Sequence, residues 1–306
     1  MEENTLNKRD MGNDAHLSNV SSVVLYQIPH YCGILNVQNT SWNVQDWDGI
    51  GIYQQFHIKC SESQLQRGSG RFLCLENGTW KSDLICLDLP RDCESLVEHG
   101  ETNSGVYEIY PFGSRARSAR VFCDMYTMEG GWTAIQKRVN GAVRFDRTWN
   151  EYRKGFGDAG QDFWIGNDVI HQLTKGKISS LYISITLVNG SKLYELYEQF
   201  SVSNEADNYQ LFLAGTASGT LGDSMMHTVT SAGDLSGMKF TTSDRDNDQW
   251  IEGNCAVNYK GGWWFNNCYR AFLNGAWKPD SWRSPWYPTV KYGEYIKETL
   301  MMIRSL

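Results

Sequence analysis

Alternating acidic residues are the most distinctive chemical feature of this chain. Residues 244–248 are Asp-Arg-Asp-Asn-Asp, and they are followed by Gly253, Asn254 and Cys255, with a second cysteine, Cys268, thirteen positions after the first. Carboxylates on alternate residues bring several hard oxygen donors within reach of one small cation, and Ca²⁺ prefers such donors. A disulfide between the two cysteines would close the segment between them into a loop. The pattern predicts a binding loop braced by Ca²⁺.

An EF-hand begins with the same alternation of acids, so it has to be tested. With Asp244 at the first position of an EF-hand, Gln249 falls where glycine is obligatory and Cys255 falls where a bidentate glutamate is needed. The EF-hand is therefore excluded. An acidic surface turn without a bound ion remains the alternative to a calcium site.

Aromatic residues crowd the segment between the two cysteines and the positions just after it. Tyr259 is followed by two glycines and by Trp263 and Trp264, and Tyr269 and Arg270 come directly after Cys268. Aromatic rings contact methyl groups and the apolar faces of sugars with little rotamer entropy to lose. Paired tryptophans at a strand-like position are expected in the core, whereas ligand contact and packing are both open for Tyr259.

Composition limits the classes of protein that this chain can be. The chain has 306 residues, 41% of them hydrophobic, and a formal charge of −7, so we expect a globular protein without the overall field that holds nucleic acid. One local basic group, Arg115, Arg117 and Arg120, is expected to be a solvated face. No run reaches the length of about 20 apolar residues that spans a membrane.

Cysteine usage and sequons predict an extracellular protein. There are eight cysteines, none in a Cys-x-x-Cys pair, which favours disulfides in an oxidising compartment over zinc or redox sites. Four Asn-x-Ser/Thr sequons occur, and glycosylation is predicted at Asn39, Asn77 and Asn189. The polar first 14 residues show no signal peptide. Secretion is therefore predicted from the cysteines and sequons alone.

Enzyme motifs are missing. The chain has no Gly-x-Ser-x-Gly elbow, no His-Glu-x-x-His and no phosphate-binding glycine loop, and its six histidines are scattered without ligand spacing. We expect no enzymatic activity.

The elements that must position the acidic loop lie in the second of two predicted domains. Residues 1–31 lack periodicity and are predicted to be a flexible leader or linker. Residues 32–86 hold four cysteines and Trp80 in a unit too small for much of a core, residues 87–92 form a hinge stiffened by Pro90, and residues 93–306 form the large domain.

The order of residues in the small unit carries a first resemblance. The series Cys32, Cys60, Cys74, Gly78, Trp80 and Cys86 resembles a sushi, or complement control protein, module. The resemblance implies an all-β fold with Cys32 paired to Cys74 and Cys60 paired to Cys86. An unrelated disulfide-stapled linker domain is the alternative.

Local patterns in the large domain predict a helix and a hairpin. Asp146 can cap a helix whose Trp149, Tyr152 and Phe156 form one apolar stripe. Alternating apolar residues from Leu181 to Leu187 predict a strand, and Asn189-Gly190 predicts a two-residue turn into a second strand through Tyr194 and Leu196. Together with the frequent glycines, these patterns predict an α+β domain with an antiparallel sheet.

A longer series of motifs resembles the fibrinogen C-terminal domain from about Leu89 to Leu306. The motifs are Gly130-Gly131-Trp132-Thr133, Phe163-Trp164-Ile165-Gly166-Asn167-Asp168, Asn254-Cys255-Ala256, Trp263-Trp264 and Leu273-Asn274-Gly275. The resemblance implies a central antiparallel sheet and the pairs Cys93 with Cys123 and Cys255 with Cys268. It also implies a C-terminal subdomain with a Ca²⁺ site and a ligand pocket.

The resemblance also implies roles for individual residues. The Ca²⁺ ligands are the side chains of Asp246 and Asp248 and the carbonyls of Trp250 and Glu252, with Gly253 as the alternative to Glu252. In lectin-like members of the family, an acetyl group binds among aromatic rings beside a cis peptide bond, here Asn267-Cys268. Tyr259 and Tyr292 match the pocket wall, and Tyr269 stands where these members usually carry histidine.

These observations predict a secreted, calcium-dependent recognition protein that binds acetylated glycans on microbial or cell surfaces. The alternative is an extracellular protein-binding ligand or matrix adhesion module that uses the same C-terminal surface. A homo-oligomer would raise weak single-site affinity, although the chain contains no collagen or coiled-coil stalk.

Overall fold

The computed structural model describes residues 43–47, 55–75, 78–226, 233–277, 285–290 and 296–305, with residues 43–47, 55 and 56 described by their backbone alone. The chain forms two compact units, Met1–Leu89 and Pro90–Leu306. Of the predicted features, residues 1–31, Cys32, Asn39, Asn77 and Tyr292 lie outside the described residues.

The described part of the first unit is built from short antiparallel strands. Strands β1 (Asn43–Trp47), β2 (Gln55–Lys59), β4 (Arg71–Cys74) and β5 (Trp80–Ser82) form a sheet in that order, while β3 (Gln64–Arg67) pairs with β6 (Ile85–Asp88). Its apolar core is small, with Ile58 and Phe72 packed against Trp80 and Leu84. The Cys60–Cys86 disulfide is the pair that the resemblance implies, and it supports a unit whose core alone is marginal.

The second unit is mostly sheet. Its strands are β7 (Gly105–Ile109), β8 (Ala119–Asp124), β9 (Trp132–Arg138), β10 (Phe156–Gly157), β11 (Phe163–Trp164), β12 (Ser179–Leu187), β13 (Lys192–Val202), β14 (Leu211–Gly219) and β15 (Ile296–Ser305). Seven of these strands lie in the order β10-β11-β9-β15-β12-β13-β14, and β8 pairs with both β7 and β9. Every pairing is antiparallel.

The helices of the second unit are short. They are α1 (Cys93–Glu98), α2 (Trp149–Lys154), α3 (Asn167–Thr174) and α4 (Cys255–Tyr259), with brief 3-10 helices at Arg115–Arg117, Thr127–Glu129 and Glu205–Asp207. Asp92, in the predicted hinge, caps α1 by accepting from the Ser95 backbone N–H at 2.9 Å. The Cys93–Cys123 disulfide joins α1 to β8, as the resemblance implies.

Both faces of the central strand β12 are covered. Residues 179–185 are all buried, although their sequence alternates between apolar and polar side chains. The C-terminal strand β15 lies between β9 and β12, and Met301 and Met302, on opposite faces of β15, are both buried. The alternation in the sequence is typical of a strand with one buried face, and it cannot show that further layers pack on the second face.

The predicted hairpin is formed by β12 and β13, with Leu181 opposite Tyr197. Its loop has three residues rather than the predicted two. The Leu187 N–H donates to the Ser191 carbonyl at 2.8 Å and the Gly190 N–H donates to the Leu187 carbonyl at 2.9 Å. Gly190 has a φ of 89°, as a bulged three-residue loop requires.

Helix α2 begins two residues later than the sequence suggests. Thr148, not Asp146, is the N-cap, and it forms a capping box with Glu151. Trp149 and Tyr152 are buried as expected. Phe156 lies in β10 rather than in the helix, because the helix ends at Gly155 with a φ of 91°.

Glu195 in β13 gives a pH-dependent prediction. Its side chain is buried, and Oε2 accepts from the Gly222 N–H at 2.8 Å. Burial raises the pKa of the Glu195 carboxyl, the Gly222 N–H opposes this rise, and the charge of Asp223 adds to it. A group whose pKa is raised on folding contributes stability below its unfolded pKa, and this contribution is lost as pH rises through the folded pKa.

We therefore expect Glu195→Gln, which keeps the acceptor and removes the charge, to be more stable than the wild type at pH 7 by on the order of 1 kcal/mol. The difference should vanish near pH 4, where an unfolded glutamate is also largely protonated, its pKa being about 4.3. Calorimetric melting temperatures across this pH range test the prediction. A constant difference between the two proteins at all pH values would contradict it.

Candidate calcium loop and ligand surface

The acidic loop, residues 244–253, is anchored on a buried aromatic base. The Thr241 N–H donates to the Trp263 carbonyl at 2.8 Å, and the Trp263 N–H donates back at 3.1 Å. Trp263 and Trp264 are both fully buried, which confirms that the paired tryptophans belong to the core. The Trp264 indole donates to the Tyr209 carbonyl at 2.8 Å. The base of the loop is therefore held by the same core that fixes the sheet.

The first acid of the loop, Asp244, joins the loop to helix α2. The Asp244 carboxylate accepts from the Trp149 backbone N–H at 2.8 Å and from the Thr242 hydroxyl at 2.7 Å. Trp149 is the first residue of α2, so Asp244 satisfies one of the free N–H groups at the start of that helix. This contact ties Asp244 to α2, whereas Asp246 and Asp248, the two acids predicted as Ca²⁺ ligands, make no such contact with the helix among the described residues.

Asp246 and Asp248 form a pair of neighbouring carboxyl groups. Oδ1 of Asp246 accepts from the Asp248 N–H at 3.2 Å. Oδ1 of Asp248 accepts from the Trp250 N–H and Oδ2 from the Cys255 N–H, both at 2.8 Å. Burial raises the pKa of Asp248, the two backbone N–H groups oppose this rise, and the adjacent Asp246 carboxyl adds to it.

The donor set at this pair fits a hard divalent cation. Two carboxylates that disfavour each other's charge are relieved when a cation lies between them, and the remaining positions of a Ca²⁺ shell accept carbonyls and water. Among the residues that the structure describes, no three His, Cys, Asp or Glu side chains lie close enough together to hold a metal ion. Backbone carbonyls and water would therefore have to complete the shell around Asp246 and Asp248.

The predicted carbonyl donors lie in the turn after Asp248. The Trp250 carbonyl accepts from the Gly253 N–H at 3.2 Å. The indole of Trp250 lies against Gly253 so closely that a Cβ there would come within 2.8 Å of the ring. Trp250 is half-buried and Glu252 is exposed. The assignment of Trp250 and Glu252 as ligands, with Gly253 as the alternative, stays a prediction.

Asn247 is a residue of the loop that sequence reasoning missed. Its side-chain amide donates to the Phe240 carbonyl at 2.7 Å, and its backbone N–H donates to the Thr241 hydroxyl at 3.1 Å. These bonds fix the backbone between Asp246 and Asp248. Asparagine is common in turns, but nothing in the local sequence identifies Phe240 and Thr241 as its partners.

The acidic loop is connected to the predicted ligand segment by hydrogen bonds and a disulfide. Asp248 bonds to the N–H of Cys255, and Cys255 pairs with Cys268 as the resemblance implies. The Gln249 N–H donates to the Asn266 carbonyl at 3.1 Å, and the Asn266 N–H donates to the Cys268 carbonyl at 2.8 Å. The Asn267-Cys268 peptide bond is cis. A change in the position of Asp248 can therefore alter the backbone near both Cys255 and Cys268, the two ends of the crosslinked loop.

Aromatic rings flank Cys268 in a cluster formed by Tyr259, Phe265, Tyr269 and Phe272. The Tyr259 and Tyr269 rings meet edge to face with centroids 4.8 Å apart. Tyr269 in turn contacts Phe272 at 5.0 Å and Phe265 at 6.2 Å. Phe265 and Phe272 are buried, whereas Tyr259 and Tyr269 are half-buried. The two tyrosines form the accessible edge of a cluster whose base is in the core.

The structure thus brings together most of the predicted ligand residues. Tyr259 and Tyr269 are in contact, and Asn267, which is exposed, precedes Cys268 and Tyr269 in sequence. Next to Tyr269, the Arg270 guanidinium lies 4.8 Å from the centroid of the Tyr287 ring, a contact that the sequence does not indicate.

None of the helices in the described residues is long and apolar enough to cross a membrane.

Comparison with known proteins gives consistent matches to the second unit. Residues 89–305 match the family model described as the C-terminal globular domain of the fibrinogen beta and gamma chains. Fibroleukin from Bos taurus is 42% identical over 227 residues, which are 70% of this chain and 51% of fibroleukin. Ficolin-3 from Homo sapiens is 42% identical over 194 residues, or 63% of this chain and 61% of ficolin-3.

A solved structure of lamprey fibrin D-dimer, complexed with the peptide ligand Gly-His-Arg-Pro-amide, is also similar. It has 31% sequence identity and a TM-score of 0.62, with 70% of this chain and 73% of the fibrin chain covered. The chain spans about half the length of fibroleukin.

Proposed function

Because this chain belongs to the family of the C-terminal globular domain of the fibrinogen beta and gamma chains, we propose that it is a secreted, calcium-dependent recognition protein for acetylated glycans on microbial or cell surfaces. The single observation that carries this proposal is the connection from the Asp246 and Asp248 pair, through the Cys255 N–H, to the crosslinked aromatic loop.

The ion acts as a brace in this proposal. Ca²⁺ binds the side chains of Asp246 and Asp248 and the carbonyls of Trp250 and Glu252, or of Gly253 in place of Glu252. Without the cation, repulsion between the two carboxylates loosens the acidic loop. Because Asp248 also holds the Cys255 N–H, ligand binding then depends on calcium indirectly.

The ligand binds at the accessible edge of the ring cluster. The acetyl methyl packs against Tyr259 and Tyr269, and the backbone N–H groups around Asn267 and Cys268 hold the carbonyl oxygen. Tyr292 completes the wall. The half-buried state of both tyrosines supports this role, because each ring keeps part of its surface free for a ligand. Tyr269, which stands in place of the usual histidine, contributes a ring and a hydroxyl.

The rest of the chain is assigned to the same extracellular role. Residues 32–86 act as a sushi-like spacer, supported by the Cys60–Cys86 disulfide and the short antiparallel strands, and residues 93–306 form the recognition domain after the hinge at 87–92. Asn189 is exposed at the tip of the β12–β13 hairpin, where a glycan would not disturb packing. Homo-oligomerisation raises the affinity, and we propose no enzymatic activity.

A protein ligand is the second candidate for the same surface. The peptide complex of the similar lamprey fibrin D-dimer favours this alternative. A peptide and an acetylated sugar place different demands on the site, because a peptide brings a backbone and often a positive charge to the acidic loop. One binding experiment can therefore separate the two candidates.

We expect the protein to bind immobilised N-acetylglucosamine in Ca²⁺, and to be released by free N-acetylglucosamine or by a chelator. Tyr259→Ala should weaken binding about tenfold, or about 1.4 kcal/mol, because it removes half of the accessible edge. The measurement is surface plasmon resonance on the sugar surface.

Tyr126→Ala is the matched control for this experiment. Tyr126 is 70% exposed and lies outside both the acidic loop and the ring cluster, so its removal should leave sugar binding unchanged. Binding of Gly-His-Arg-Pro-amide by a protein that ignores the sugar would favour the protein-ligand alternative and contradict the acetyl pocket.

A further inference from the structure

Four exposed arginines surround the turn between β7 and β8. The Arg115–Arg117 3-10 helix is capped by the Ser114 side chain, Arg120 lies on β8, and Arg91 lies just before α1. Arg91, Arg115, Arg117 and Arg120 are all solvent-exposed, and we name this set the arginine surface. It is an exception in a chain whose formal charge is −7.

Two of these arginines, Arg91 and Arg117, contact neighbouring residues of the turn. The Arg117 guanidinium lies 3.4 Å from the centroid of the Phe112 ring, a distance at which cation and ring attract each other. The next residue, Gly113, has a φ of +67°, and a Cβ there would lie 3.5 Å from Nη2 of Arg91. Arg91 and Arg117 therefore lie over the same short turn, and the ring contact reduces the freedom of Arg117.

The other two arginines lie near one carboxylate. Glu108 on β7 is directly opposite Arg120 on β8. Hydrogen bonds from Ser118 and Tyr110 lower the pKa of Glu108, and the charges of Arg115 and Arg120 lower it further. Glu108 is the only acidic residue between Gly105 and Cys123. Arg115 and Arg120 therefore lie near the same carboxylate, and its single negative charge leaves the arginine surface with a net positive charge.

We propose that the arginine surface binds a sulfated glycosaminoglycan. The planar guanidinium presents its N–H donors as a fork that matches the oxygens of sulfate and phosphate groups. Several such groups around one turn suit a linear polyanion, because each contact displaces a condensed counterion from the polymer. The exposure of these side chains confirms the sequence-based expectation of a solvated face, and the proposal adds a binding role to that face.

This inference is independent of the proposed acetyl pocket. The arginine surface shares no residue with the acidic loop or the ring cluster, and no part of it is a predicted calcium ligand. A chelator should therefore leave heparin binding intact while it releases the protein from N-acetylglucosamine. Failure of either proposal can be recognised without the other.

The test uses the full chain on immobilised heparin at an ionic strength of about 0.15 M. The triple variant Arg115→Ser, Arg117→Ser and Arg120→Ser should bind at least tenfold more weakly than the wild type. Its plot of log Kd against log salt should lose about one unit of slope for each arginine removed. All three side chains are exposed, so the melting temperature should change little, and this is measured in parallel.

A control variant removes the same charge elsewhere. Lys175→Ser, Lys239→Ser and Lys297→Ser replace three exposed lysines outside the arginine surface and should leave the affinity within about twofold of the wild type. Equal loss in the two triple variants would mean that net charge alone is responsible and would overturn the proposal. Undiminished binding to chemically desulfated heparin, or loss of heparin binding on chelation, would overturn it as well.

Discussion

Adding Ca²⁺ to metal-free protein, at about 100 times the dissociation constant, is expected to raise the melting temperature of the second unit by about 5–10 °C. Such an excess contributes about 2.7 kcal/mol of stability when the ligand binds only the folded state. The reason is local to the acidic loop. Asp248 is held beside Asp246 with a pKa raised mainly by burial, and a cation replaces the repulsion between the two carboxylates with attraction to both.

Asp248→Asn should remove most of this calcium-dependent rise. An asparagine keeps one oxygen acceptor for the Trp250 or Cys255 N–H but has no negative charge for the ion. Differential scanning calorimetry of wild type and variant, with Ca²⁺ and with a chelator, measures the effect.

Asp244→Asn is the matched control, because Asp244 lies in the same acidic repeat, four residues before Asp248. The Asp244 carboxylate is committed to the Trp149 N–H and the Thr242 hydroxyl, and an asparagine oxygen can accept both bonds. Its calcium-dependent rise should match that of the wild type. A rise that disappears in both variants, or that is absent from the wild type, would remove the ion from the mechanism.

The different contacts of the three acids in the loop show what the sequence could and could not predict about the site. The alternation of Asp244, Asp246 and Asp248 indicates oxygen donors, and that information is local. The partner of Asp244 is Trp149, 95 residues earlier in the chain, and no local pattern identifies it. The resemblance to a family predicts that Asp246 and Asp248, and not Asp244, bind the ion, and the contact of Asp244 with Trp149 agrees with that prediction.

The same distinction applies to the fold. The β12–β13 hairpin could be predicted because its strands are adjacent in sequence, although the bulge at Gly190 added one residue to the loop. The position of β15 between β9 and β12 could not be predicted from periodicity, because an apolar strand does not specify its neighbours. The N-cap of α2 was misassigned for a smaller reason, since Asp146 and Thr148 are both good capping residues and only Thr148 has Glu151 three positions later.

Removal of the Cys255–Cys268 disulfide has the second large expected effect. In the double variant Cys255→Ala and Cys268→Ala, loss of a crosslink across 13 positions should cost about 3 kcal/mol on the chain-entropy model, which lowers the melting temperature by about 6–12 °C. Sugar binding should be lost even well below the melting temperature. The Asp248 carboxyl would still accept from the N–H of residue 255, but residue 255 would no longer be covalently joined to residue 268 beside the ring cluster. Calorimetry and the N-acetylglucosamine surface measure the two effects separately.

The double variant Cys93→Ala and Cys123→Ala separates stability from binding. Its disulfide closes a longer segment of 30 positions, so its removal should cost slightly more stability, about 3.6 kcal/mol. That bond joins α1 to β8 and touches neither the acidic loop nor the ring cluster, so the folded variant should still bind the sugar at low temperature. If both double variants keep their sugar affinity, the crosslink only stabilises the fold, and the ion cannot act on the ligand through it. If both lose affinity, the loss reflects general destabilisation and the proposed connection from Asp248 to Tyr269 is wrong.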